Sequence, residues 1–284
     1  MVTEAVFAHF DPDGLVAPHV TRHLDALATV CDRITVVSTS ALRPEGRRTL
    51  GAYGALVERT NEGYDFGSWQ AGILGTVDWA RPPRLIIAND STVGPLRPLD
   101  RMLEEMSGTD TDVWGAALSH QYGTHLQSFF LVVEPHVVAA PHFRAFWESV
   151  TPLDRRWFVI HRYELGLSRM LVAADFRLKG YFTPSPEEQE LCDARRADAQ
   201  ASDAPRRRPD DVPRIGSNPM LGLWDRALPD GRLPFVKMEA LRDDPYRLGA
   251  EQTLTRCEQA FPDHFVGVRE YLDRTREAYV GLRT

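Results

Sequence analysis

Apolar and polar positions alternate with two different periods along the first ninety residues. Short apolar runs, rich in β-branched residues, predict buried strands. The predicted strands are 4–10, 34–37, 56–57 and 84–88. Between them, residues 15–31 and 66–79 carry apolar side chains at helical spacing. This strand–helix alternation predicts a mainly parallel sheet covered by helices.

The pattern changes after residue 110. The apolar segments 113–118 and 128–133 are close in sequence and predict a pair of strands, and helical spacing then covers four later segments. The predicted helical segments are 142–150, 159–174, 216–245 and 250–281. We therefore expect an α/β core over 1–184 and a helical C-terminal part over 213–284. Residues 185–212 have few large apolar side chains and predict a mobile loop, or an exposed helix and linker.

Composition narrows the class of protein. A net charge of −7 argues against a nucleic-acid partner, which usually meets a basic surface. The basic run Arg206–Arg208 is read as part of a solvated linker, with contact to anionic lipid head groups as the alternative. Three scattered cysteines form neither a metal cluster nor a disulfide framework, which predicts a cytoplasmic protein. Met1–Glu4 lacks the basic and apolar regions of a secretory signal.

Polar or glycine-containing segments follow each predicted strand. In open α/β sheets, ligands bind at the carboxyl ends of the strands, so these segments are candidate ligand contacts. The segments are His9–Gly14, Ser38–Ser40, Asn61–Trp69 and Asn89–Gly94.

Asn61–Trp69 combines two glycines, two acids and aromatic residues between a strand and a helix. Glycine allows a backbone to approach a ligand, and free amides at a helix N-terminus suit phosphate or sugar oxygens. Asp65 is a candidate acceptor of hydrogen bonds from sugar or ribose hydroxyls. The alternative is a helix cap, with Asp65 capping the helix while Phe66 and Trp69 pack inward.

Asn89-Asp90-Ser91 follows a buried strand and offers an oxygen ligand for Mg²⁺ or Mn²⁺ at Asp90. The alternative is a turn, because these residue types also favour turns. Further along the chain, Glu164 is a candidate general base on a helix, with a solvated surface residue as the alternative. Lys237 and Arg242 are candidate cations for a diphosphate, or else ordinary surface cations.

The polar segment His120–Ser128 precedes an apolar strand. Gln127 and Ser128 are candidate contacts to sugar hydroxyls, and either His120 or His125 is a candidate second base or ligand. The alternative is a polar hairpin loop.

Several segments recur together in an order that resembles the rhamnan synthesis protein F family. They cover nearly the whole chain: 8–11, 61–69, 89–91, 94–96, 114–115, 126–130, 163–167, 218–219, 234–237 and 241–245. The resemblance implies a glycosyltransferase of bacterial cell-surface polysaccharide synthesis, with dTDP-rhamnose as the donor. The implied acceptor is a glycan or lipid-linked glycan.

The same landmarks are similar to the GT-A fold of inverting sugar transferases, in which an Asn-x-Gly segment, an Asp-x-Asp-like motif and a later acid occur in order. Asn61 and Gly63, then Asp90, then Glu164 occupy these places. Asn89-Asp90-Ser91 departs from the pattern, because it offers one carboxylate where the usual motif offers two.

These observations together give a set of candidate site residues. The candidate donor-binding residues are His9, Asn61, Gly63, Asp65, Asn89, Asp90, Ser91, Lys237 and Arg242. The candidate acceptor-binding residues are Trp114, His125, Gln127 and Ser128. Glu164 is expected to take a proton from an acceptor hydroxyl in a single displacement, while Asp90 with a divalent cation stabilises the diphosphate.

Two other functions fit parts of the pattern. Asp65 with Glu164 would suit the paired carboxylates of a glycosidase. A non-catalytic carbohydrate-binding member of a polysaccharide assembly complex would retain the fold without the chemistry, in keeping with the single carboxylate of Asn89-Asp90-Ser91.

Overall fold

The computed structural model describes residues 1–201 and 216–281. The strands of this part of the chain are β1 (Thr3–His9), β2 (Arg33–Ser38), β3 (Ala55–Glu58), β4 (Arg84–Asn89), β5 (Thr92–Val93), β6 (Val113–Ser119), β7 (His125–Leu126), β8 (Phe130–Val133), β9 (Leu178–Phe182) and β10 (Val236–Lys237).

Helices flank the strands along the whole described chain. They are α1 (Pro18–Ala28), α2 (Pro44–Gly51), α3 (Tyr64–Thr76), α4 (Leu99–Ser107), α5 (Pro135–Val138), α6 (Pro141–Glu148), α7 (Arg156–Val159), α8 (Leu165–Ala173), α9 (Pro186–Ala201), α10 (Pro219–Gly222), α11 (Trp224–Ala227), α12 (Met238–Asp243), α13 (Ala250–Ala260), α14 (Pro262–Phe265) and α15 (Val268–Gly281). A π-helical turn over Ile160–Glu164 joins α7 to α8.

The main sheet has the order β3-β2-β1-β4-β8-β6-β7, and β9 pairs with β6. Strands β1 to β4 are parallel to one another, whereas β8 is antiparallel to both β4 and β6. The mixed, mainly parallel sheet with flanking helices is therefore confirmed, as is the predicted pair of strands after residue 110. The apolar pattern does not predict β9, which is parallel to β6.

The two faces of the sheet bury separate apolar clusters. Along β1, Ala5 and Phe7 belong to the cluster that includes α1, whereas Val6 and Ala8 belong to the cluster that includes α3. Helix α3 lies close to the sheet because Gly72 faces Val6: a Cβ added at Gly72 would lie 2.4 Å from Val6 Cγ1. This close packing fixes the N-terminal end of α3 beside the carboxyl end of β1.

The C-terminal part is attached to the segment that follows β4. Strand β10 pairs antiparallel with β5, which places Lys237 opposite Thr92. The amide of Met238 also donates to the Ser91 carbonyl at 2.9 Å. The predicted helical segment 216–245 thus contains short helices and a strand, and it delivers Lys237 to the carboxyl edge of the sheet.

The segment 185–212 contains a helix in its first half. Helix α9 covers Pro186–Ala201 and buries Cys192 and Ala199, so this half packs against the core as a helix. Residues 202–212 of the predicted linker, including Arg206–Arg208, lie outside the described residues. Within the described ranges, no helix combines the length and the apolar character that a membrane span requires.

Helix α15 is held against the end of β1 by an ion pair. Arg274 donates to both carboxylate oxygens of Asp11, at 3.1 and 2.5 Å, and also contacts Asp13. Asp11 is 2% exposed. Burial alone would raise the pKa of Asp11, but the Arg274 hydrogen bond and the amides of Asp13 and Leu15 lower it below its ordinary value.

Two histidines on the buried face of α1 remain neutral. His19 and His23 are both buried, and burial lowers the pKa of each to about 3. His23 packs among the rings of Phe7, Phe130 and Phe235. In the folded protein each of these histidines therefore stays unprotonated at pH values below about 6.5, where the same histidine in the unfolded chain binds a proton.

We predict that Arg274→Ala lowers the free energy of unfolding by about 2 kcal/mol, because the buried Asp11 carboxylate loses its cation. Urea denaturation at neutral pH measures this change. Arg276→Ala is the matched control, since its ion pair with Asp273 is exposed, and we expect a change within about 0.5 kcal/mol. Equal stability of the two variants would contradict the structural role of the Asp11–Arg274 pair.

We predict that His23→Leu makes the acid-induced loss of stability shallower. A folded-state pKa below the unfolded value stabilises the protein above about pH 6.5, and this stability is lost as the pH falls. Removing one such histidine should reduce the slope of the free energy of unfolding against pH by about 1.4 kcal/mol per pH unit between roughly pH 6 and 4. His142→Leu, at an exposed position, is the control. An unchanged slope in His23→Leu would refute the assignment.

Candidate active site

A cavity of about 620 Å³ lies at the carboxyl edge of the parallel strands, a volume typical of small-molecule sites. We call it the large cavity. Most of the candidate residues meet in its wall: His9, Asn61, Gly63, Asp65, Asn89, Asp90, Ser91, Ser128, Glu164, Lys237 and Arg242. The segments that follow β1, β3 and β4 thus converge, as the strand-end argument predicts.

Asn61 and Gly63 line the large cavity at the start of α3. Gly63 is the N-cap residue and has φ +72°, a left-handed conformation that glycine adopts without strain. The cap is therefore Gly63 rather than Asp65. Phe66 and Trp69 do pack inward, and the Trp69 indole N–H donates to the Ala88 carbonyl at 2.8 Å.

Asp65 and Asn89 form the centre of a polar network. Asn89 Nδ2 donates to Asp65 Oδ2 at 2.8 Å. In turn, Asn89 Oδ1 accepts from the Ser91 amide at 3.1 Å and from the Ser91 hydroxyl at 2.6 Å. Burial raises the pKa of Asp65 to about 6 even though the Asn89 bond opposes this shift. The network fixes the orientation of both side chains in the cavity wall.

Asp90 and His9 lie next to this network. Asp90 Oδ2 accepts from the Phe10 amide at 2.7 Å. Burial raises the pKa of Asp90 well above its ordinary value, and the nearby Asp65 charge adds to this effect. Burial also lowers the pKa of His9 to about 4, and His9 Nδ1 lies 3.0 Å from Ser38 Oγ. Burial therefore favours the neutral forms of both carboxyls and of His9.

Glu164 lines the large cavity from the last position of the π-helical turn. Its Oε1 accepts from the Ser128 amide at 2.8 Å and from the Ser128 hydroxyl at 3.1 Å. These two bonds hold the carboxylate in one orientation. π-helical turns inside α-helices are frequent at functional sites, because they redirect the side chains of one helical face.

Three cations line the large cavity: Arg156, Lys237 and Arg242. Burial lowers the pKa of Lys237, while Glu164 and Glu239 oppose that shift. Arg242 stacks on the Tyr279 ring at 4.1 Å. Arg156 Nη2 pairs with Glu239 Oε2 at 3.1 Å, and Arg156 also interacts with the charges of Glu164 and Asp65.

A second, smaller space of about 60 Å³ adjoins the large cavity, and we call it the small chamber. Five residues line both spaces: Arg156, Ile160, Glu164, Lys237 and Glu239. His125 and Gln127 line only the small chamber. Gln127 exchanges two amide hydrogen bonds with Asn218, at 3.0 and 3.2 Å. The small chamber has room for a few water molecules or a substituent of a larger ligand.

Trp114 does not line either space. The structure places it in the hydrophobic core, where its ring packs on Phe130 and Tyr181 with centroids 5.7 and 6.2 Å apart. Strand β6 turns this side chain toward the core, so the acceptor contact expected for Trp114 is not available in this arrangement.

Several lining residues escape the sequence argument, among them Arg156, Glu239, Tyr271 and Tyr279. One signal for Arg156 is present in the sequence, since cations at the start of a helix oppose the helix dipole and are unusual there. Tyr271 and Tyr279 carry no such signal, because only the tertiary position of α15 brings them to strand ends more than 180 residues away in sequence.

Among the described residues, six carboxyl groups and three cations line the large cavity. Asp65 and Asp90 come from the strand ends, whereas the cations come from α7 and the C-terminal part. Within 1–201 and 216–281, no three His, Cys, Asp or Glu side chains are grouped as a ready metal site. The three cations are the groups of this lining that an anionic ligand would contact.

Comparison with known proteins identifies relatives of the chain. A family model described as rhamnan synthesis protein F matches residues 34–202, more than half of the chain. The uncharacterized protein y4gN of Sinorhizobium fredii is 26% identical over 63% of this chain and 48% of its own length. Virulence protein VirA of Vibrio anguillarum is 31% identical over 39% of this chain and 36% of its own length. The chain thus spans half or less of these curated relatives.

Among solved structures, a nucleotidyl transferase from Methanothermobacter thermautotroptrophicus aligns with a TM-score of 0.38 and 13% identity. The alignment covers 63% of this chain and 86% of that one.

The family match includes the strand-end segments Asn61–Trp69 and Asn89-Asp90-Ser91, together with Glu164. The resemblance seen in the sequence motifs is confirmed, and the chain belongs to the rhamnan synthesis protein F family.

Proposed function

We propose that this protein is a glycosyltransferase that transfers a sugar from a nucleotide-sugar donor to an acceptor hydroxyl with inversion at the anomeric carbon. The observation that carries the proposal is the position of Glu164. Its carboxylate is anchored by Ser128 in the wall shared by the large cavity and the small chamber. A base in that wall is able to contact an acceptor on one side and a donor on the other.

Glu164 acts as the general base in this proposal. Both Ser128 bonds go to Oε1, and the described residues make no hydrogen bond to Oε2. Oε2 therefore takes the proton of the acceptor hydroxyl as the hydroxyl oxygen attacks the anomeric carbon. The bond from that carbon to the diphosphate oxygen breaks in the same step, and the nucleoside diphosphate leaves.

The cations of the large cavity stabilise the leaving diphosphate. Lys237 and Arg242 are held close to the strand ends, Lys237 by the pairing of β10 with β5 and Arg242 by stacking on Tyr279. Preorganised cations lower the barrier most where charge develops in the transition state. Asn61, Gly63 and Asp65 lie beside the same edge and provide amide and carboxylate groups for the hydroxyls of the donor.

The proposal includes a divalent cation beside Asp90. Asp90 and Asp65 are two neighbouring carboxylates that repel each other, and Asp90 would be the protein ligand for Mg²⁺ or Mn²⁺. Such an ion supplies further charge stabilisation for the diphosphate when it is bound. Because the protein offers few carboxylates here, ion binding should require diphosphate oxygens as additional ligands.

Family membership supports the choice of substrates. Rhamnan synthesis indicates rhamnose as the transferred sugar, with dTDP-rhamnose as the donor and a glycan or lipid-linked glycan as the acceptor. We place the reaction in the cytoplasm, at the inner face of the cell membrane when the acceptor is lipid-linked. The virulence protein name among the relatives is compatible with a surface polysaccharide.

The donor class is tested by incubating the purified chain with a panel of nucleotide sugars and measuring release of nucleoside diphosphate and thermal stabilisation. We expect dTDP-rhamnose to give the largest response. If no donor gave nucleoside diphosphate release or thermal stabilisation of the protein, the proposal that the protein is a glycosyltransferase would be refuted. It would favour a non-catalytic carbohydrate-binding protein of polysaccharide assembly.

We predict that Glu164→Gln lowers turnover by about a hundredfold or more without weakening donor binding. Glutamine retains an oxygen that accepts both Ser128 bonds but does not take up the hydroxyl proton. Calorimetric donor titration and product formation measure the two effects separately. Glu148→Gln, on the exposed surface of α6, is the control and should behave as the wild type does. If Glu164→Gln turned over at the wild-type rate, Glu164 would not be the general base.

We predict that Asp90→Asn lowers the stimulation of turnover by Mn²⁺ at least about tenfold, because the ion loses its protein carboxylate. Calorimetric titration of Mn²⁺ in the presence of nucleoside diphosphate should show the same loss of binding. Asp78→Asn, outside the cavity, is the control. If the wild type turned over equally fast in Mn²⁺ and in excess chelator, the cationic side chains alone would be sufficient to stabilise the leaving diphosphate.

A further inference from the structure

An aromatic patch lies on the surface next to the small chamber. Trp157 and His161, one helical turn apart, stack with centroids 4.0 Å apart and an interplanar angle of 27°. The Tyr122 ring lies 5.0 Å from His161, and the Phe158 ring lies 5.3 Å from Trp157. We call these four residues the aromatic platform. All four are at least partly exposed, and Phe158 is 44% exposed.

The aromatic platform is continuous with the candidate active site. Tyr122 belongs both to the platform and to the lining of the small chamber. Ile160, which lies between Trp157 and His161 in sequence, lines the chamber and the large cavity, as does Glu164. The platform therefore adjoins the chamber whose wall carries Glu164.

The turn that carries Tyr122 has an unusual backbone. Tyr122 has φ +64° and Gly123 has φ +127°, both in the region that favours glycine. A bulky residue in this conformation is strained, and such strain is concentrated at functional sites. The conformation brings the Tyr122 ring against His161, so the strained turn completes the platform.

We propose that the aromatic platform binds the second sugar ring of an acceptor glycan, so that the acceptor is an oligosaccharide rather than a monosaccharide. Aromatic faces pack well against the C–H-bearing face of a pyranose ring, while polar groups at the edge satisfy its hydroxyls. Gln121 and His125 supply such groups in the adjoining chamber. This inference rests on the proposed function, because it assigns the outer part of the same acceptor site.

The platform suits a sugar better than a membrane. Three of its four rings are half-buried and in contact through His161, and of the four only Phe158 is largely exposed. Insertion into a bilayer requires apolar side chains that project from the surface, usually on an amphipathic helix. Binding to lipid vesicles is therefore the competing outcome of the test.

The test uses acceptors of increasing length. Wild-type protein is incubated with dTDP-rhamnose and methyl rhamnoside, a rhamnose disaccharide or a rhamnose trisaccharide, and kcat/KM for each acceptor is measured. We expect the disaccharide to exceed the monosaccharide by about tenfold. Trp157→Ala should abolish that gain through KM while leaving donor hydrolysis and the monosaccharide reaction within about twofold.

Two further variants show whether an effect of Trp157→Ala comes from lost sugar binding or from misfolding. Trp157→Phe retains an aromatic face and should keep most of the gain in kcat/KM from the monosaccharide to the disaccharide. Phe158→Ala should lower this gain while leaving the three half-buried rings of the platform in place. Trp79→Ala, at a partly exposed tryptophan outside both spaces, is the matched control. Equal kcat/KM for all acceptor lengths, or a gain that survives in Trp157→Ala, would overturn the inference.

A second measurement separates the platform from the proposed function. Saturation-transfer NMR with the rhamnose trisaccharide reports binding without turnover, so it remains informative if no donor is used. Binding that is lost in Trp157→Ala would support the platform even then, whereas absence of binding to the wild type would overturn it. Co-sedimentation with vesicles of anionic lipid that depends on Trp157 and Phe158, without any sugar effect, would instead assign the patch to a membrane.

Discussion

The burial of carboxylates at the carboxyl edge of the parallel sheet is the constraint on which the rest of the structure depends. A buried charge is tolerated only when a counter-charge or hydrogen bonds compensate it. Asp11 is compensated by Arg274, which is 263 residues away in sequence. The same helix contributes Tyr271 and Tyr279 to the cavity. The C-terminal part is thus required both to neutralise the strand ends and to close the site over them.

This compensation is incomplete on the side that faces the large cavity. Burial raises the pKa of both Asp90 and Asp65, and the Asp65 charge adds to the shift of Asp90, while Lys237 and Arg156 line the same cavity. Opposite charges that line one cavity without being fully paired form a field that orients a charged ligand. In the proposed complex, the diphosphate of the donor would meet the cations and a divalent ion would compensate the carboxylates, which a neutral sugar does not do.

The sequence predicts the parts of this site that follow strands, because strand position and residue type are local properties. Asn61, Asp90 and their neighbours meet in one cavity since the carboxyl ends of parallel strands share an edge. Trp114 illustrates the limit of that argument. A tryptophan in a family motif suggests a sugar contact, but which face of β6 it occupies depends on the register with β8. Likewise, no local pattern places Tyr279 beside β1, because that contact depends on the docking of α15.

The location of Glu164 bears on the stereochemistry of the reaction. Retention would require a nucleophile on the donor side, and Asp65 is the candidate there. Its carboxylate accepts a hydrogen bond from Asn89, and its pKa is raised to about 6, so part of the population is protonated near neutral pH. Glu164 lies instead in the wall shared with the small chamber. In the proposed reaction, a base in that wall would direct attack from the face opposite the leaving diphosphate, which is the reason for proposing inversion through a single displacement.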